Sequence, residues 1–219
     1  MTKPWCPRPP CCPIDAVPMI LTQCAACAAP LPQLAKQCSR CKTRYCGQAC
    51  QAQHWKEGGH DKLCKKIRKG GGAERCHADT KYKEAVATAV EMCAEDTKGQ
   101  ACYICTESIE SRTKEGLVRM CSCGDRDGVA SGTAGIVHVS CLVRQAQIAC
   151  DDEMSNEDRE TKWSRWDACR VCGQRFNGAV ACALGWACWR TYLSRPLTDE
   201  LRRVGLCALG VGLQKTRQY

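Results

Sequence analysis

Apolar residues along this chain fall into short, separate patterns with polar stretches between them. From Thr80 to Ala94, Tyr82, Val86, Ala89, Val90 and Cys93 recur at three- and four-residue steps, which predicts an amphipathic helix with Lys81 and Glu84 on its wet face. Val180, Leu184 and Ala187, then Leu201, Gly205, Leu206 and Leu209, predict two more helices broken at Pro196, together one helix-turn-helix unit. A lone unit of this kind cannot bury its own apolar face, since helical repeats need about three units for stability. It is expected to pack on the segment before it or on a partner, with Trp186, Trp189 and Tyr192 as anchors. The first twenty residues carry Pro4, Pro7, Pro9, Pro10, Pro13 and Pro18 outside any period and predict a disordered or extended tail over 1–20. Lys62 to Lys69 reads as a solvated helix face, and Gly70-Gly71-Gly72 as a hinge.

No stretch has the pattern of a membrane span. Residues 16–35 lack charge but contain Pro18, Pro30 and Pro32, and the uncharged run Phe176 to Trp189 is too short, so it predicts a buried helix.

Composition changes the picture, because Leu, Ile, Val and Phe make up only about 15% of the 219 residues, below the ~20% usual for an ordinary core. Cysteine is abundant instead, with 23 copies. No apolar signal stretch follows Met1, so the thiols predict metal binding in a reducing compartment, cytoplasmic or nuclear, rather than a disulfide framework. Cys6, Cys11 and Cys12 have no nearby histidine and read as free thiols of the tail.

The other cysteines form two groups of eight ligands. The first runs Cys24-x2-Cys27, Cys38-x2-Cys41, Cys46-x3-Cys50 and His60-x3-Cys64; the second runs Cys102-x2-Cys105, Cys121-x-Cys123, His138-x2-Cys141 and Cys169-x2-Cys172. Each close pair can chelate one tetrahedral ion, so sixteen ligands imply four structural zincs. A structural zinc contributes on the order of 10 kcal/mol of apparent folding free energy, enough to replace the missing apolar burial. Metallation also revises the formal charge of +9. Fourteen thiolates against four dications bring it to roughly +3, which argues against nucleic acid as a partner. Four-ligand zinc has no open position for water, so neither group predicts metal catalysis.

The stretch Cys24 to Cys64, with Tyr45-Cys46-x3-Cys50-Gln51-x3-Trp55 ahead of His60-x3-Cys64, resembles the MYND-type zinc finger. The resemblance implies one zinc on Cys24, Cys27, Cys46 and Cys50, and another on Cys38, Cys41, His60 and Cys64, with His54 as a rival ligand. It also implies a protein-binding module for short proline-containing peptides, with Gln51 and Trp55 forming the groove. The second group, with Cys102-Tyr103-Ile104-Cys105, Arg119-Met120-Cys121-Ser122-Cys123 and Val137-His138-Val139-Ser140-Cys141-Leu142, resembles the RING-CH finger of membrane-associated ubiquitin ligases. That resemblance implies zinc on Cys102, Cys105, His138 and Cys141, and on Cys121, Cys123, Cys169 and Cys172. It further implies that Ile104, Trp163 or Trp166, and Val171 hold a ubiquitin-conjugating enzyme, which carries the reactive thioester itself. Gly173 follows the last ligand where active fingers of this type often place a basic residue, with Arg175 two positions late.

The expected fold is a small zinc-stabilised α+β protein: two cross-brace two-zinc fingers joined by a helix, with a short C-terminal helical hairpin. Its expected domains are a MYND-type finger over 21–69, a glycine hinge and helical linker over 70–98, a RING-CH-type finger over 99–177 and a helical tail over 178–219. The expected function is a RING-type ubiquitin ligase lacking a nucleophile and membrane spans, whose MYND finger recruits a protein; the alternative is a non-catalytic zinc-finger scaffold.

Overall fold

The computed structural model describes residues 20–123, 135–152, 154, 156–196 and 198–216. The expected tail, apart from Ile20, lies outside these residues. The described chain divides into two compact units between Thr80 and Lys81. Small antiparallel sheets and helices make up both, and the Cys/His clusters lie among them.

In the unit up to Thr80, strands β1 (Lys36–Gln37) and β2 (Arg44–Tyr45) pair antiparallel, with Lys36 opposite Tyr45, and helices α1 (Gln48–Lys56) and α2 (His60–Lys69) follow. The core is made largely of the ligands: Cys24, Cys38, Cys41 and Cys64 cluster with Tyr45, and the partly buried Leu31, Cys50 and Ile67 pack against them. Buried Arg44 adds a polar staple, donating to the carbonyls of Leu21 at 2.5 Å, Pro32 at 2.6 Å and Gln33 at 2.8 Å. Those bonds tie the chain's entry to the segment leading into β1. On α2 the basic residues Lys62, Lys65, Lys66, Arg68 and Lys69 face solvent while His60 and Cys64 turn inward.

The three glycines expected to act as a hinge form a closed turn. Gly71 and Gly72 take φ of 93° and 97°, Gly72 N–H donates to Ile67 O, and Ala73 N–H donates to Cys41 O at 2.8 Å. Helix α3 (Ala73–Met92) starts at once, seven residues before the periodic segment, and carries the boundary between the units. Apolar spacing alone misses its first two turns because Glu74, Arg75 and Asp79 are polar there.

The unit from Lys81 onward contains β3 (Val118–Arg119) paired antiparallel with β4 (Ile136–Val137), then α4 (Val139–Asp151), α5 (Arg159–Ser164), α6 (Gly178–Tyr192) and α7 (Glu200–Thr216). Helices α6 and α7 form the hairpin broken near Pro196. They approach closely enough that a Cβ built at Gly185 would lie 2.7 Å from Ala208 O, and one at Gly212 2.7 Å from Ala181 O. Buried Trp186, Trp189 and Tyr192 anchor the hairpin, with the Tyr192 ring meeting Trp166 edge-on at 5.9 Å. The hairpin's apolar face is therefore covered within its own unit. Among the described residues no helix is long and apolar enough to cross a membrane.

Candidate metal centres

Four pairs of cysteines share one local backbone form. At Cys24, Cys38, Cys102 and Cys169 the cysteine N–H donates to the carbonyl five residues on (Ala29, Thr43, Glu107, Gln174), and its own carbonyl accepts from the N–H four residues on (Ala28, Lys42, Thr106, Gly173). That fourth residue is left-handed every time, with φ of 58°, 66°, 65° and 70°. The turn brings the two thiols of a Cys-x2-Cys pair onto one side, while backbone N–H groups point toward the first sulfur. Burial alone would raise the Cys24 thiol, but N–H groups of Cys27, Cys46 and Ala26 bring its pKa down to about 6, favouring the thiolate a metal requires.

These half-sites converge in alternation. Cys24 and Cys27 meet Cys46 and Cys50; Cys38 and Cys41 meet His60 and Cys64; Cys102 and Cys105 meet His138 and Cys141; Cys121 and Cys123 meet Cys169 and Cys172. Within each set the ligand atoms lie within 4.8 Å of one another. Four thiolates about 2.3 Å from a shared zinc stand about 3.8 Å apart at tetrahedral angles. The sulfurs of Cys27 and Cys46 are 3.7 Å apart, those of Cys38 and Cys64 3.8 Å, and those of Cys123 and Cys169 3.7 Å. Such distances are far beyond the ~2.05 Å of a disulfide, and the described cysteines are free thiols. His60 points Nε2 at Cys41 Sγ, 3.4 Å away, whereas His138 points Nδ1 at Cys105 Sγ, 3.3 Å away. The four clusters fit four zinc ions, each closed by its protein ligands. His54 stands outside them, its Nδ1 paired with the Tyr45 hydroxyl at 3.0 Å.

The sequence model of the MYND finger family matches residues 24–64. Residues 24–64 are a MYND finger. No curated protein and no solved structure is a significant match to the chain. A MYND finger is a zinc-binding protein-interaction module, and in this one α1 carries Cys50 of the first cluster and runs between Cys41 and His60 of the second. One face of α1 lines a groove of about 370 Å³ with Lys36 of β1; Gln48, Gln51, Ala52, Trp55 and Lys56 complete it. Trp55 packs edge-on against His60 at 5.6 Å and still leaves 37% of its surface open. It therefore supports the zinc ligand and faces the groove at once.

Of the other residues expected to touch partners, Ile104 is half-buried and lines a wider groove with α3 and α4 residues such as Val86, Val90 and Ile148. Trp163 is half-buried on α5. Trp166 is only 2% exposed, packed in the core against Tyr192, which removes it from any contact surface. Val171 sits at the tip of the 169–173 turn with 74% exposure. Gly173 occupies the left-handed position of that turn with nothing within 4 Å of a built Cβ, and Arg175 is engaged in an ion pair with Asp167.

Sequence spacing missed a fifth copy of the turn. Glu110 N–H donates to Glu115 O, Glu110 O accepts from Lys114 N–H, and Lys114 has φ of 60°. The Glu110 carboxylate takes the place of the first thiolate, accepting from the N–H groups of Arg112 and Thr113 and from the Thr113 hydroxyl. Backbone hydrogen bonding sets this shape, so it needs no cysteine and leaves no motif to search for.

Proposed function

We propose that this protein is a zinc-organised adaptor whose MYND finger recruits an extended, proline-containing segment of another protein. The observation that carries this reading is the groove beside Trp55. It pairs an open aromatic face with the amide of Gln51 and with β1, the outer strand of a two-stranded sheet whose side chains are exposed. An extended peptide can align with such a strand edge and lay apolar rings on the tryptophan. Titration of proline-containing peptides into the four-zinc protein tests it. Binding should be lost in Trp55→Ala at unchanged zinc content; binding that survives this change places the site elsewhere.

A second reading takes residues 99–177 as a cross-brace finger of RING-CH type that docks a ubiquitin-conjugating enzyme. The exposed Val171 and the groove-lining Ile104, each between the cysteines of one pair, favour it, since apolar residues on zinc turns do such holding. The geometry around Gly173 and Arg175 favours the non-catalytic scaffold instead, because neither offers a free cation beside the last ligand. Ubiquitin discharge from a panel of charged conjugating enzymes separates the two. Transfer abolished by Ile104→Ala or Val171→Asp, with four zincs retained, makes the protein a ligase; no transfer from any enzyme leaves the adaptor.

A further inference from the structure

We infer that the segment recruited beside Trp55 carries aspartate or glutamate on both sides of its proline core, and that Lys36 and Lys56 select those carboxylates. This assignment of ligand chemistry rests on the reading of the groove as a peptide site.

The helix wall of the groove comes first. Gln48, Gln51, Ala52, Trp55 and Lys56 follow the i, i+3, i+4, i+7, i+8 spacing of a single helix face. In an ordinary surface helix that face is apolar and packs on a core. On α1 it is polar around one aromatic ring, no residue of the helix is fully buried, and the face lines the groove instead. The strand wall supplies Lys36. Among the described residues the lining therefore holds two cations, two amides and an indole, and no carboxylate. Both lysines are exposed, and among the described residues neither is in an ion pair.

The distribution of charge points the same way. Residues 20–69 contain ten lysines and arginines against two acids, Glu57 and Asp61. Seven thiolates offset by two dications still leave this finger at about +5, while the whole protein carries only about +3. The rest of the chain is thus slightly negative, and the positive field is gathered on the finger that holds the groove. Such a field speeds the approach of an acidic segment and repels a basic one. The indole gives the proline ring its seat, and the two lysines fix which flanks are accepted.

The test uses synthetic peptides that share one proline core and carry glutamate, glutamine or lysine on both flanks, titrated into the four-zinc protein. The expected order of affinity is glutamate, then glutamine, then lysine. Two exposed ion pairs should separate the first two by roughly three- to thirtyfold at low salt. The gap should close near ~1 M salt, where screening acts over about 3 Å. The double variant Lys36→Glu, Lys56→Glu, with four zincs confirmed by native mass spectrometry, should reverse the order, an outcome that loss of fold cannot produce. Equal affinity for every flank, with binding lost in Trp55→Ala, overturns the inference while the groove stands. Binding of no peptide through Trp55 overturns both readings. A glutamate peptide without proline, or single-stranded DNA, binding as tightly as the glutamate-flanked peptide would show a diffuse attraction of polyanions and also overturn the inference.

Discussion

Replacing Gly135 by alanine probes how tightly the backbone holds a zinc ligand. Gly135 precedes β4 with φ of 89°, and its carbonyl accepts from Met120 N–H at 2.8 Å. A Cβ there would lie 2.5 Å from the carbonyl oxygen of Cys121 and 3.4 Å from its carbon. Left-handed backbone costs a non-glycine residue about 1–2 kcal/mol. Forcing a methyl group against backbone costs a further ~1–3 kcal/mol. The sum, roughly 2–5 kcal/mol, is smaller than the ~10 kcal/mol a structural zinc contributes. The centre formed by Cys121, Cys123, Cys169 and Cys172 should therefore still fill in excess zinc but hold its ion less tightly. At about 1.4 kcal/mol per tenfold, its affinity should fall by roughly 1.5 to 3.5 powers of ten. Chelator titration followed by native mass spectrometry reads this directly. One ion should leave the variant early, while the other three leave as they do in the wild type. An unchanged first loss would refute the argument that this backbone contact positions the ligand.

The hairpin predicts opposite signs for two similar changes. Gly185→Ala should lower the melting temperature, because packing against α7 costs about 1–3 kcal/mol, against the ~1 kcal/mol gained from helix propensity. Gly210→Ala, with nothing within 4 Å, should raise it; circular dichroism melts of the zinc-loaded protein that move both the same way would count against the packing. Arg44→Lys should destabilise the unit up to Thr80 by about 2–3 kcal/mol in urea unfolding at saturating zinc, since an ammonium cannot span three carbonyls. Cys46→Ser should lower the zinc count from four to three while the clusters at 102–141 and 121–172 stay filled. Loss of zinc from those clusters would mean the two units depend on each other.

The four pairs at Cys24, Cys38, Cys102 and Cys169 were legible in the sequence because a Cys-x2-Cys turn is closed by hydrogen bonds within six residues, and chelation needs nothing distant. The helices of the C-terminal hairpin were legible for the same reason, since periodicity reports a local face. Which half-sites share an ion depends on the path of the chain between them; the family resemblance suggested the pairing, and the convergence of the side chains displays it. Nothing local distinguishes Trp55, which opens onto a groove, from Trp166, which is sealed against Tyr192, because burial is decided by elements far away in sequence. Val171 and Gly173 show the same limit. Their neighbour Cys172 announced a metal ligand, but only the turn's left-handed backbone explains the glycine, and only its place at the tip exposes the valine. Sequence by itself determined that zinc would stand in for an apolar core, since ligand chemistry is written residue by residue. The tertiary structure decided which side chains that core leaves outside, because exposure is what remains after every distant segment has packed.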